Sequence, residues 1–291
     1  MSFRFFRSHT RRKIALALLF ITIALEGGYV LYANARSLAD SLFRNSQAFY
    51  AEIATTSTQG VVAAATSTTI HIPIVVYHIV RPSYPDDSLD VKNFAQTPEL
   101  FDAQLHYLRD ARYTVISFHD LDQYFAHNTL LPKNPIIITF DDGWGSQFTY
   151  AFPILQKHHY TATFFVFTNP IGRHGFLTWG QLRTLRNAGM TIGSHSRSHP
   201  FLTKITPEAL WKEIHDSKTT LERHLGIVVH QFAYPFGIYN PEIVALVKKA
   251  GYTSARGDLV SGEQSADQRY TLSALNAPTS LDAFKQKFPE R

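Results

Sequence analysis

The 291-residue chain contains no cysteine. Disulfides, thiolate metal sites and a lipid anchor on cysteine are therefore excluded. It also lacks a stripe of Lys and Arg. The formal charge of +5 and the pI near 9.3 owe much to Arg4, Arg7, Arg11, Arg12 and Lys13, so no nucleic-acid partner is expected. No internal repeat is evident, and no histidine follows His230. What the chain does hold is 45% hydrophobic and 13% aromatic residues, enough for one large core or two small ones.

The first 35 residues read as a targeting or anchoring segment. Arg11-Arg12-Lys13 precedes the apolar run Ile14–Leu25. Ala33-Asn34-Ala35 fits the small-residue site of a cleaved signal peptide. Ile14–Ala33 equally reaches the length of a transmembrane anchor if Glu26 sits near the far interface. Positive residues ahead of the run set the body outside the cytoplasm. Either way the protein is expected to be exported, with the membrane as a partner if the segment is retained. Residues 36–70 include a Ser/Thr/Ala-rich stretch that cannot bury a core and reads as a linker. The globular body then covers residues 71–291.

Within the body, apolar runs alternate with helical periodicities. Strands are expected at 71–78, 113–118, 136–143, 162–167, 190–193, 231–234 and 252–255. Helices are expected at 98–112, 120–127, 147–159, 178–188, 207–225 and 241–250, and a loop at 81–90. This rhythm implies an α/β fold with a parallel sheet and helices outside, either a barrel or an open sheet.

Two clusters carry chemistry. Ile136-Ile137-Ile138-Thr139-Phe140 is a buried-type strand that ends in Asp141-Asp142-Gly143, and the carboxyl end of a parallel strand is where such folds do chemistry. A plain Asp-Gly turn is the simpler reading of that triplet alone. The second cluster is Ser194-His195-Ser196-Arg197-Ser198-His199-Pro200. Pro200 disfavours a helix at His199, so a turn at a strand end is expected, aiming both rings at Asp142. One carboxylate and two imidazoles with open positions form a normal catalytic Zn²⁺ set.

Thr139-Phe140-Asp141-Asp142-Gly143 and His195-Ser196-Arg197-Ser198-His199 resemble the first two signature motifs of the polysaccharide deacetylases. Leu177-Thr178-Trp179-Gly180-Gln181-Leu182 resembles the family's lead-in, and Tyr234-Pro235-Phe236-Gly237 its proline-containing loop. The resemblance covers roughly residues 71–291 and implies a distorted (β/α) barrel. It implies Asp142, His195 and His199 as ligands of a divalent metal, Zn²⁺ first, with Co²⁺, Mn²⁺ or Ni²⁺ also suited. It implies Asp141 as general base, and the loop Tyr234–Gly237 as donor to an oxyanion, through the Phe236 N–H. Trp144, next to the motif, is a candidate for packing on a sugar.

The pattern is also broken in places. The late motif that ends in histidine reads Leu272-Ser273-Ala274-Leu275-Asn276, and the arginine expected ahead of the proline loop is Ala233. Either the general acid comes from elsewhere or activity is lost. His78, ending the first strand, is the substitute, as in the branch acting on poly-β-1,6-N-acetylglucosamine; His174 is a weaker one. Arg256, Asp258 and Arg269 sit where the resemblance places groups that tune the base, but the pattern is degraded here, and Arg256 and Asp258 read as ordinary surface residues. The expected function is removal of N-acetyl groups from N-acetylglucosamine units of an extracellular or cell-wall polysaccharide. The alternatives are a peptidoglycan or chitin-oligomer deacetylase, or an impaired carbohydrate-binding relative.

Overall fold

The computed structural model describes residues 69–290. The signal or anchor segment, and all but the end of the linker, lie outside the described residues. Among the described residues no helix is long and apolar enough to cross a membrane.

Eight strands form the main sheet: β1 (Ile74–Tyr77), β2 (Thr114–Val115), β3 (Pro135–Phe140), β4 (Thr163–Val166), β5 (Thr191–Ser194), β6 (Gln231–Ala233), β7 (Ser254–Arg256) and β8 (Leu275–Asn276). The order is β7-β6-β5-β4-β3-β1-β8, with β2 also on β3. Every pairing is parallel. Alternation along the strands sorts the core into two layers, because successive side chains point to opposite faces. Val75, Tyr77, Ile136, Ile138 and Phe140 join the larger cluster, with Phe101, Leu105 and Leu108 of the helix Pro98–Asp110. Ile74, Val76 and Ile137 join the smaller one, with Phe165, Ala233, Leu272 and Ala274. That residues from so many strands share the second cluster shows that the sheet curls around it. Leu272 N–H donates to Ala255 O and Gly257 N–H to Leu272 O, which ties the β7 edge to the chain leading into β8. Gly193 permits the curl locally: a Cβ there would stand 2.5 Å from the Phe165 ring.

The expected parallel sheet with covering helices is present, with corrections at the edges. The first strand is broken, since Ile70–His71 pairs antiparallel with Glu263–Gln264 and β1 begins only after Pro73. The strand expected at 113–118 shrinks to two residues, because Ser117 caps the helix Phe118–His127 in a reciprocal capping box with Asp120. Where a loop was expected, Ser88 caps a short helix, Leu89–Phe94. The helices expected at 147–159 and 207–225 both contain a π-helical turn, Gln147–Ala151 and Lys212–Asp216. Periodicity of 3.6 cannot reveal such an insertion, and single π turns concentrate at functional sites.

Candidate functional site

The carboxyl ends of the strands open into one cleft of about 430 Å³, whose lining includes His78, Asp141, Asp142, His195, His199 and Phe236. Two neighbouring carboxylates face the same cleft because the chain turns after β3. Asp142 (φ 74°) and Gly143 (φ 75°) are both left-handed, and a Cβ on Gly143 would meet Val166 at 2.9 Å. Glycine is required there on both counts.

Asp142, His195 and His199 form a group able to hold a metal ion. The two Nε2 atoms are 3.2 Å apart, and they lie 3.7 Å and 3.5 Å from Asp142 Oδ1. Donors about 2.0–2.1 Å from a tetrahedral ion stand roughly 3.3 Å apart, so the set fits a divalent cation. The surroundings fit as well. His195 Nδ1 lies 2.7 Å from Ala233 O, which makes it the N–H donor and leaves Nε2 bare, the usual arrangement behind a metal-bound imidazole. Burial, opposed by Asp141 and aided by His199, lowers the His195 pKa to about 4, so the ring is neutral as a ligand must be. Trp144 Nε1–H donates to Asp142 Oδ2 at 3.0 Å and leaves Oδ1 turned to the histidines. The Trp144 ring also stacks on Phe176 with centroids 4.7 Å apart. The indole therefore aims the Asp142 carboxylate and has one face covered, and it lines the cleft.

Asp141 is outside this set. Arg256 Nη2 donates to both of its oxygens, at 2.6 and 2.5 Å, and both side chains are buried. Burial alone would push the Asp141 carboxyl up; Arg256, with His195 and His78, outweighs it and holds the pKa below the usual value. The expectation that Arg256 is a surface residue is thus corrected. The reason is register: Arg256 on β7 pairs directly with Ala233 on β6, the position where an arginine was missing. A neighbouring strand supplies the guanidinium at the same level of the barrel. The pairing of an early carboxylate with a late arginine has no local sequence signal, although the replacement by Ala233 was one.

His78 lines the cleft beside Phe94, ring centroids 5.1 Å apart. Gln147, fully buried in the first π turn, donates to the carbonyls of His78 (2.8 Å) and Asp141 (2.6 Å) and so ties two strand ends together. Sequence reasoning missed it. His174 is exposed and is not among the cleft residues. Asn276, which ends β8 where a histidine was expected, does line the cleft. In the loop Tyr234–Gly237, Tyr234 is buried and its hydroxyl donates to Tyr270 O. Pro235 starts a short 3₁₀ turn, and Gly237 N–H returns to Tyr234 O. Phe236 adopts φ 60° and packs on His199 with ring centroids 4.5 Å apart.

Residues 129–255 match the sequence profile of polysaccharide deacetylases. Over that segment the chain is similar to the polysaccharide deacetylase family. Its relatives include YxkH of Bacillus subtilis, which carries a polysaccharide deacetylase name, 28% identical over 182 residues. That match spans 62% of this chain and 62% of YxkH. The poly-β-1,6-N-acetyl-D-glucosamine N-deacetylase of Staphylococcus epidermidis is 27% identical over 60% of this chain and 68% of its own length. Among solved structures, the Streptococcus pyogenes deacetylase PplD in complex with acetate superposes with a TM-score of 0.69 at 27% identity, covering 76% of this chain and 99% of that one. The profile match includes Asp141, Asp142, His195, His199 and Ala233; His78, Arg256 and Asn276 lie outside it.

Proposed function

We propose that the chain hydrolyses the N-acetyl group of N-acetylglucosamine units in an extracellular or cell-wall polysaccharide, using a divalent metal. The observation that carries this reading is a buried, ionised Asp141 beside a three-residue ligand set in one cleft. Asp142, His195 and His199 would hold the ion, Zn²⁺ first among Co²⁺, Mn²⁺ and Ni²⁺. When bound, such an ion polarises the acetyl carbonyl and lowers the pKa of water.

The chain's own residues supply the rest. Asp141, which is not in the ligand set, takes the proton from the attacking water, with Arg256 keeping the carboxylate charged between turnovers. The Phe236 N–H, in a turn whose backbone is left-handed at that residue, donates to the developing oxyanion. Pro235 cannot donate, so the turn presents one amide there rather than two. His78 delivers a proton to the leaving amine. The S. epidermidis relative is named for a β-1,6-linked polymer, and that likeness supports the same substrate class. Peptidoglycan or chitin oligomers are the alternative polymers. The basic-then-apolar residues 4–33 support export, with the body tethered outside the cytoplasm or released near Ala35; fractionation of cells followed by amino-terminal sequencing tests that.

The direct test is acetate release by the purified chain with Zn²⁺ or Co²⁺, on N-acetylglucosamine oligomers of β-1,4 and β-1,6 linkage. Metal-dependent release is expected. Metal binding without release from any oligomer would favour the impaired, carbohydrate-binding relative, whose specific support is Asn276 in the place of a histidine.

A further inference from the structure

The turn between the two histidines is conformationally costly and carries its own brace. Ser196 (φ 68°) and His199 (φ 59°) are both left-handed without being glycine, a backbone state that persists only when surrounding structure determines it. Part of the restraint is local: Ser196 Oγ accepts the His199 N–H at 3.0 Å. The rest comes from one distant side chain. The Glu213 carboxylate accepts the Arg197 N–H at 2.9 Å, the Ser198 N–H at 2.7 Å and the Ser198 hydroxyl at 2.6 Å.

Glu213 is 8% exposed, and no Lys, Arg or His pairs with it among the described residues. A buried carboxylate without a cation is expensive unless its lone pairs are filled, and here all three donors belong to Arg197 and Ser198, two of the three residues between His195 and His199. The π-helical turn Lys212–Asp216, set between the helices Pro207–Trp211 and Ser217–Leu225, is the segment that carries Glu213. An anion that collects two consecutive backbone N–H groups and a hydroxyl fixes the path of those residues more tightly than any one neutral acceptor.

We propose that Glu213 is a positioning residue that presets His199 as a metal ligand, by clamping Arg197 and Ser198 in the turn that His195 enters and His199 leaves. The inference rests on the reading of Asp142, His195 and His199 as metal ligands. Removing the clamp frees the turn to relax its two left-handed residues and swings His199 away from His195 and Asp142.

The test is Zn²⁺ affinity of the full chain by competition with a chromophoric chelator, with the visible spectrum of the Co²⁺-loaded protein as a coordination signature. Glu213→Ala is expected to bind Zn²⁺ about 10–100-fold more weakly and to alter the Co²⁺ spectrum. Glu213→Gln, which keeps one acceptor oxygen, should lose less and stands in if the alanine variant does not fold. Wild-type affinity and spectrum in a folded variant, even one with a lowered Tm, would overturn the inference and leave Glu213 a support of the fold alone. Wild-type acetate release without metal uptake would overturn it together with the metal-dependent part of the proposed function, leaving the deacetylation itself in place. Tight Zn²⁺ binding that weakens in the variants, without acetate release from the wild type, would uphold the clamp and contradict the deacetylase reading instead.

Discussion

Asp141 and Asp142 are consecutive, yet the two sides of the cleft they serve are built by different physics. Asp142 and its histidines are aimed by hydrogen bonds: Trp144 holds one Asp142 oxygen and Ala233 O orients His195. Asp141 is controlled by charge, through a buried Arg256 that arrives from the far edge of the sheet order. Hydrogen bonds set direction, and losing one neutral partner costs about 1–3 kcal/mol. A buried charge pair sets a protonation state, and removing one member strands the other. The metal side should therefore degrade gradually under mutation and the proton side abruptly.

Arg256→Met sharpens that contrast most. Loss of one partner of a buried ion pair costs roughly 3–5 kcal/mol, read as a lowered denaturation midpoint. Its pH dependence carries a sign. In the wild type the folded Asp141 pKa is depressed, so the pair's contribution is present above the unfolded carboxylate value, near 4, and is lost as pH falls through the folded value. In the variant, burial acts unopposed and raises the folded pKa, so ionisation destabilises as pH rises. The stability gap between the two proteins, measured in chelator, should widen as pH rises through the ordinary carboxylate range. A gap that narrows would contradict the electrostatic account.

His78→Ala comes next. A lost general acid typically costs about 10²–10⁴ in rate, so kcat for N-acetyl substrates should fall by at least about 100-fold with Zn²⁺ content unchanged. Steady-state kinetics beside metal analysis checks it, and an unaltered kcat would move the acid elsewhere. The smallest effect belongs to the metal side. Trp144→Phe keeps an aromatic ring on Phe176 but loses the hydrogen bond to Asp142, and should weaken Zn²⁺ binding by about 10-fold, read by chelator competition. An effect as large as that of Arg256→Met would erase the distinction between the two sides.

The same contrast explains what could be read in advance. Asp142, His195 and His199 lie in short contiguous motifs at strand ends, and the repeated β/α rhythm places strand ends together. Their convergence was legible before any coordinates. Gln147 and Glu213 were not, and Arg256, although it sits where the resemblance places a base-tuning group, reads in the sequence as a surface residue. Each acts on a partner brought near only by strand register or by a π turn, and an isolated Arg, Gln or Glu in a helix or strand looks like a solvated surface residue. The break in the first strand and the early start of the helix Phe118–His127 were missed for a local reason. Pro73 and Ser117 act as punctuation inside runs whose hydrophobicity alone reads as continuous.

The central claim is that Asp141 works on protons while its neighbour holds metal, and Asp141→Asn tests it most directly. The measurement is Zn²⁺ stoichiometry and acetate release on the same preparation. Full metal content with turnover reduced by at least about 100-fold is the predicted result. Retained turnover, or loss of the metal together with activity, would contradict the division of labour between the two carboxylates.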